Sequence, residues 1–229
     1  MKARPLNFLT IGISALVFLL LSGCRHDVVE PDGDQIVGSG KIVSEQRTVP
    51  EFSGILVNGS AEVVITQEPN QSLRVEADDN IIGRVKTRIQ AGNLVVELEP
   101  GSYHHTTVRI HASMRAIHFL ECAGAADFSV TGPIATDVIE CRISGAGHYE
   151  LHGTADEQTI AISGAGEVHN FGLTTRNSTV TISGTGNVEV HASDRLDASI
   201  SGTGSIAYAG NPRTVHQSIQ GIGNIEPKP

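Results

Sequence analysis

The sequence has little of what usually fills a large globular core. It has no tryptophan, and aromatic residues make up only 4% of the chain, so a core has to be built from Ile, Val, Leu and Ala. It has 25 glycines, which allow the backbone to turn tightly. Few aromatics and many glycines favour tightly turned β structure over a globular sandwich.

Positive charge is also scarce. The chain carries 16 Lys and Arg against 25 Asp and Glu, for a net charge of −9. Without Lys2 and Arg4, which lie in a predicted signal peptide, the net charge is −11. An acidic surface is repelled by nucleic-acid phosphates and by anionic lipid. We therefore expect neither among the partners.

The N-terminus lacks an apolar run long enough to cross a bilayer comfortably. The run from Phe8 to Leu21 follows a short basic region and ends in Leu-Ser-Gly-Cys, which matches a lipobox. We predict that residues 1–23 are a lipoprotein signal peptide and that Cys24 becomes the lipidated N-terminus, held in the membrane by acyl chains such as palmitate. Arg25, rather than an aspartate, follows the cysteine, which favours the outer membrane of a bacterial envelope.

The segment after the cysteine is polar, acidic and interrupted by proline and glycine. This composition predicts a flexible tether over residues 24–40, with ordered structure beginning near Lys41.

A short motif recurs through the second half of the chain. Ser-Gly-x-Gly or a variant of it begins at Ala123, Ser144, Ser163, Ser183, Ser201 and Gln220, and the successive spacings are 21, 19, 20, 18 and 19 residues. Such a repeat is too short for two helices or a four-stranded blade, but it fits one coil of a β-solenoid. We therefore predict an all-β parallel β-helix of 19–20 residues per coil over residues 121–226, preceded by a less regular β-rich part over 41–120.

The residues around the motif define columns along the predicted solenoid. An isoleucine stands immediately before most copies, and its inward direction follows from the two-residue period of a strand. The outward column that follows the glycines is polar and consists of His148, Glu167, Asn187, Ser205 and Asn224. The glycines themselves are best explained as a sharp corner, because no helix follows them to complete a phosphate loop.

Two other solenoid types lack their signatures here. No aliphatic residue recurs every six positions, which disfavours a left-handed hexapeptide helix and favours a right-handed one. The Gly-Gly-x-Gly-x-Asp of calcium-binding solenoids is also missing, so no calcium ladder is expected.

Similar signals appear before the repeats and at the far end of the chain. Asn58-Gly59-Ser60-Ala61 resembles an earlier corner, and Ala91-Gly92-Asn93 joins two predicted strands. Gly210-Asn211-Pro212 and Pro227 are expected to cap the last coil, because an open coil exposes strand edges.

The stretches "FSGILVNGSAEVVITQ", "SGAG/SGTG" and "YAGNPRTVHQSIQGIGNI" resemble the head GIN domain family of auto-transporter adhesins. The resemblance covers about residues 45–226. The family is common in bacterial lipoproteins, so the resemblance implies a β-helical fold and a cell-envelope location. It implies no reaction, and the first repeat at Ala123 departs from the pattern by lacking the serine and the second glycine.

Parallel β-helices also include polysaccharide-active enzymes, whose sites need convergent carboxylates. Glu167 is the only carboxylate in the predicted outward column, and it has no acidic partner in the next coil. We therefore expect no catalytic site.

Ten histidines raise the question of a metal site. Four of them are clustered before the repeats (His104, His105, His111 and His118), and four are scattered over the repeats (His148, His152, His169 and His191). His152 and His191 share an offset but lie two coils apart, about 10 Å. Since zinc needs three or four protein or water ligands, we expect surface histidines and neither a metal nor a cofactor.

Cys122 and Cys141 fall in successive coils of an oxidising compartment. Aligned on the glycines they are two residues out of register, at about 8 Å between Cα atoms, too far for a disulfide. Aligned on Glu121-Cys122 and Glu140-Cys141 they would be level. A disulfide and two buried thiols both remain open on the sequence.

The expected function is therefore binding without catalysis. An extended ridged face of polar columns suits multivalent contact with a glycan, a polymer or a protein. The alternative is a structural component of the envelope that associates with its own kind, and a polysaccharide-active enzyme is the least favoured class.

Overall fold

A computed structural model describes residues 35–228. The signal peptide and Cys24 lie outside these residues. Within them, no helix has the length and apolar character needed to cross a membrane. The strands of the first part are β1 Gln35–Val37, β2 Ile42–Gln46, β3 Gly54–Asn58, β4 Ser60–Gln67, β5 Ser72–Asp78, β6 Val85–Gln90, β7 Asn93–Leu98, β8 Ser102–His104 and β9 Val108–Met114, with a 3₁₀ turn at Ile82–Arg84.

The repeats supply the remaining strands. These are β10 Phe119–Cys122, β11 Ala125–Val130, β12 Ile134–Ile143, β13 Ala146–Glu150, β14 Gly153–Ile162, β15 Ala165–Ile182, β16 Thr185–Ile200, β17 Thr203–Ala209, β18 Thr214–Ile219 and β19 Ile222–Pro227. Burial alternates along each side of a coil, as in residues 165–170 of β15 and 185–192 of β16, because successive side chains of a strand point to opposite faces. The alternation is interrupted where the chain turns from one side to the next.

The repeats stack as parallel coils of a β-solenoid of about five turns, which confirms the all-β solenoid prediction. Cys141 pairs with Ile160, Ile160 with Val180, Val180 with Ala198 and Ala198 with Gln217. One coil therefore occupies the predicted number of residues, and the alignment on the glycines is the register that forms. The right-handed course stays a prediction.

Each coil has three sides. The first side ends at the glycine corner, as Gln158–Ile162 does in β14, and the second side begins after it, as Ala165–Asn170 does in β15. A short third side pairs residues 134–136, 153–155 and 173–175 from successive coils. The buried aliphatic residues of the three sides face one another and form one continuous core.

The corner predicted at Asn58-Gly59 belongs to this solenoid. β3 pairs in parallel with β10, and β4 with β11, so Ser60 lies level with Ala125 and Ala61 with Ala126. The segment between β4 and β10 is an insertion that covers the N-terminal end. Its strands β7 and β9 extend the parallel stacks, while β5 and β6 pair antiparallel with β9 and β7, and β2 pairs antiparallel with β5.

Two boundary expectations differ from the structure. Ordered structure begins before Lys41, because β1 pairs with β8 and Ile36 packs against the core. At the other end, Pro227 continues the parallel ladder opposite Tyr208 instead of closing the coil. Within residues 35–228, no further strand pairs with the outer edges of β18 and β19, and Ile219 and Ile222 are 45% and 75% exposed.

Candidate functional site

The first glycine of each motif is required by the close approach of successive coils. A Cβ atom on Gly145 would collide with the carbonyl oxygen of Gly124, and one on Gly164 would collide with that of Gly145. The same contact recurs at Gly184, Gly202 and Gly221. The column of first glycines therefore sets the corner, as the sequence predicted.

The second position of the motif has a different role. Gly166 faces the interior, where a Cβ atom would lie 2.6 Å from Cδ1 of Ile143. A Cβ atom on Gly186 would lie 2.5 Å from the carbonyl oxygen of Gly166 and 3.0 Å from Cδ1 of Ile162. The small residue leaves room for the isoleucine that precedes the corner. Ala126 and Ala61, in the irregular copies, occupy the same inward column.

A groove runs along the second side beside the corner, with a volume of about 770 Å³. Its floor is made of small outward residues at one ladder position of five successive coils, namely Ser60, Ala125, Ala146, Ala165 and Thr185. Since neighbouring strands lie 4.7–4.9 Å apart, this floor is about 19 Å long. The segment from Thr106 to Arg109 closes one end.

The predicted outward polar column forms the side of this groove. His148, Glu167, Asn187, Ser205 and Asn224 lie level with one another in successive coils. The column also continues backwards through Asp127 and Glu62, which the irregular first repeat concealed. Glu167 is therefore not the only carboxylate of the column.

The groove is acidic. Glu62 is neutralised by Arg109, whose Nε lies 2.7 Å from Oε2 of the glutamate. Asp127 and Glu167 are exposed, and among residues 35–228 neither makes an ion pair with a lysine or arginine. The groove therefore presents carboxylates and hydrogen-bonding groups to a ligand.

Two histidines expected to be scattered come together beside the groove. Nε2 of His169 lies 3.9 Å from Oε2 of Glu167, and the rings of His148 and His169 have their centroids 5.0 Å apart. Nδ1 of His169 also lies 2.9 Å from Oε2 of Glu189 in the next coil. Residues at the same position of successive coils would not reveal this pair. His148 is level with Glu167, so it meets His169, two residues further along the next coil, on a diagonal.

The two cysteines of the repeats are free and buried in the structure. Cys122 lies level with Ile143, and Cys141 with Leu120, so the alignment on the Glu-Cys pairs does not form. Burial raises the pKa of both thiols, and it raises the pKa of the nearby Tyr149 phenol as well. All three side chains are fully buried and belong to the core. Tyr149 also donates a hydrogen bond to the carbonyl oxygen of Arg142 at 2.7 Å.

The stacked parallel coils, the glycine corner and the open polar groove define a β-solenoid with an extended surface beside its corner. A family model described as "Putative auto-transporter adhesin, head GIN domain" matches residues 51–212. The chain therefore belongs to the head GIN domain family, which confirms the resemblance seen in its sequence. No curated relative matches the chain.

Solved structures share the fold. A "putative adhesin" from Bacteroides fragilis is 20% identical, with a TM-score of 0.68 and coverage of 84% of this chain and 100% of that one. A "putative lipid binding protein" from Parabacteroides distasonis is 22% identical (TM-score 0.54, coverage 85% and 100%). A "putative adhesin" from Parabacteroides merdae is 21% identical (TM-score 0.51, coverage 86% and 100%). At these identities the likeness shows the fold alone.

Proposed function

We propose that the protein is a non-catalytic adhesin of the bacterial cell envelope, which binds an extended polymer in the groove of its second side. The lipobox supports attachment through acylated Cys24 after removal of residues 1–23, and Arg25 supports the outer membrane. The family description supports a surface or envelope role.

The observation that carries the proposal is the length and lining of the groove. Its floor repeats a small residue in every coil, and its side repeats a polar or charged residue at the same spacing. A polymer laid along the solenoid axis would meet equivalent positions again in each coil. Affinity would then come from many weak contacts made together, which is the basis of multivalent binding.

The charge of the groove selects among polymers. Asp127 and Glu167 repel a polyanion and leave a neutral glycan or a basic protein segment as the favoured ligand. Hydroxyl groups of a glycan can be hydrogen-bonded by carboxylate, amide and imidazole groups, all of which occur in the column.

The test uses the chain from residue 25 onward, which contains all strands β1 to β19 and the core they enclose. We expect saturable binding to one ligand class on an array of neutral glycans, anionic glycans and matrix proteins. Ala165→Trp should fill the floor of the groove and weaken that binding at least tenfold. Ala161→Trp is the matched control, because Ala161 points outward from the first side of the same coil.

Three outcomes would contradict the proposal. Folded protein could bind nothing on the array, or Ala165→Trp could bind as well as the unaltered chain. Shortening of a bound polymer over time, abolished by Glu167→Gln, would instead assign the groove to an enzyme.

A second candidate function is self-association, and the open last coil favours it. No strand among residues 35–228 pairs with the outer edges of β18 and β19, where Ile219 and Ile222 are exposed, and such edges pair with other strands. Sedimentation should then depend on protein concentration, and Ile222→Lys should abolish that dependence. Thr203→Lys is the control, since Thr203 occupies the same exposed column one coil earlier. A monomer at all concentrations would exclude this function.

A further inference from the structure

We propose that His148, Glu167 and His169 bind one divalent transition-metal ion of the Zn²⁺ type on the second side of the solenoid. This inference goes beyond the proposed function, because it needs no polymer and can be tested without one.

The three side chains offer ligand atoms close enough for one ion. One atom from each residue lies within 4.8 Å of the other two, and Nε2 of His169 is 3.9 Å from Oε2 of Glu167. Ligands bound to zinc at 2.0–2.2 Å in a tetrahedron are about 3.4 Å apart. Small rotations of outward-pointing side chains, made without moving the backbone, would close the difference.

The strand register places these residues together. His148 in β13 lies level with Glu167 in β15, and Glu150 lies level with His169. His148 and His169 are therefore diagonal neighbours on adjacent coils, and their rings lean towards each other across the ladder. Both strands are continuous through the site, so its backbone is as rigid as the solenoid.

Glu189 orients one of the histidines for metal binding. A carboxylate can only accept a hydrogen bond, so Nδ1 of His169 must donate to Oε2 of Glu189 at 2.9 Å. The proton on Nδ1 leaves Nε2 with its lone pair, on the side that faces Glu167. A metal-bound histidine is commonly fixed in this way by a second carboxylate.

The surrounding charges favour a cation. The ladder neighbours of the three residues include Asp127, Glu150 and Glu189, and the other neighbour, Asn187, is neutral. Two imidazoles distinguish the site from a purely acidic cluster, because nitrogen ligands prefer zinc, copper or nickel to calcium or magnesium. With three protein ligands, the ion keeps a position for water or for a donor group of another molecule.

The test is titration calorimetry with Zn²⁺ on the chain from residue 25 onward, stripped of metal and without a histidine tag. We expect one ion per chain with micromolar affinity. Glu189→Ala removes the acceptor that orients His169 and should weaken binding by about 10-fold, and His148→Ala and His169→Ala, which each remove a ligand, should weaken it by more than that. Circular dichroism would verify that these outward substitutions leave the fold intact.

His216→Ala is the matched control. His216 is an exposed histidine on the first side whose Nδ1 lies 2.9 Å from Asp197, but no second histidine or glutamate joins it within the described ligand groups. Its loss should leave zinc affinity unchanged. A second readout is the visible spectrum of bound Co²⁺, which should report tetrahedral coordination and disappear in His169→Ala.

The proposal would be overturned by zinc binding that survives both histidine substitutions, or by the absence of saturable binding. Equal affinity for Ca²⁺ and Zn²⁺ would mean that the acidic surface attracts cations without a built site. An unchanged affinity in Glu189→Ala would remove Glu189 from the assignment.

Discussion

At the scale of single residues, the solenoid depends most on positions where no side chain fits. Gly164 is one of these, since a Cβ atom there would collide with the backbone of Ser144 and Gly145 in the preceding coil. Gly164→Ala should lower the free energy of unfolding by about 1–3 kcal/mol, the usual cost of forcing extra volume into a packed site. Chemical denaturation would measure the loss.

Gly83 provides the control for that substitution. A Cβ atom there would meet nothing within 4 Å. Gly83→Ala should therefore be neutral or stabilise the protein by up to about 1 kcal/mol, because it restricts the unfolded chain. Equal destabilisation by both alanines would mean that backbone contact at the corner is not what requires glycine.

The buried thiols predict how stability depends on alkaline pH. Burial raises the pKa of Cys141 above its ordinary value of 9.0, so the folded state keeps the proton while the unfolded state loses it. The unfolded state then binds fewer protons, and stability falls as pH rises above about 9. Each thiol that stays protonated only in the folded state contributes about 1.4 kcal/mol per pH unit.

Denaturation at pH 8 to 10.5 would test this dependence. Cys141→Val should reduce the slope, and valine suits the site because Val180 occupies the same column two coils later. A slope identical to that of the unaltered protein would show that Cys141 does not ionise on unfolding in this range. The same burial should keep both thiols unreactive towards alkylating agents in the folded state.

At the scale of elements, the sequence predicted well wherever a strand repeats its neighbour. The register at Ile143, Ile162 and Ile182 followed from one alignment, because each coil pairs with a near copy of itself. The corner at Asn58-Gly59 and the hairpin at Ala91-Gly92 followed from local turn chemistry, and both of the latter residues have positive φ.

Contacts without a local signal could not be predicted in the same way. The antiparallel pairing of β5 with β9 joins segments that share no motif, and only the folded chain sets their register. His148 and His169 lie on a diagonal between adjacent coils, so comparing the same position of each repeat does not reveal them. Aligning the motif copies and then examining positions two residues apart would have found it.

Asp78 at the end of β5 connects the N-terminal elements. Its buried carboxylate accepts hydrogen bonds from the backbone N–H groups of Gly40 and Thr107, each at 2.7 Å. Asp78→Asn would place an amide N–H against one of these donors. We expect a loss of about 2 kcal/mol, typical of hydrogen bonds to a charged group.

Hydrogen exchange would locate that loss. The amides of Gly40 and Thr107 should exchange faster in Asp78→Asn, while those of the repeats stay protected. Asp79→Asn is the control, because Asp79 is exposed and bonds Ser39 at the surface. Uniform loss of protection along the whole chain would show that Asp78 supports the entire fold and not only its N-terminal cover.

At the scale of the whole molecule, the two ends of the solenoid differ. The N-terminal end is covered by the insertion, with Leu73, Val75 and Leu94 fully buried. At the C-terminal end, nothing within residues 35–228 covers the last coil, and every residue of β18 and β19 is at least partly exposed. Because coils contact mainly their neighbours, local stability should vary along the axis.

Native-state hydrogen exchange should therefore show a gradient of protection. Amides of β18 and β19 should exchange fastest, those of β16 and β17 more slowly, and those of β12 and β14 only through global unfolding, because each coil shields the next. Measurement at two protein concentrations separates this gradient from self-association, which would protect β18 and β19 only in the concentrated sample. Protection as strong in β19 as in β14 at both concentrations would contradict coil-by-coil opening and would mean that the solenoid unfolds as a single unit.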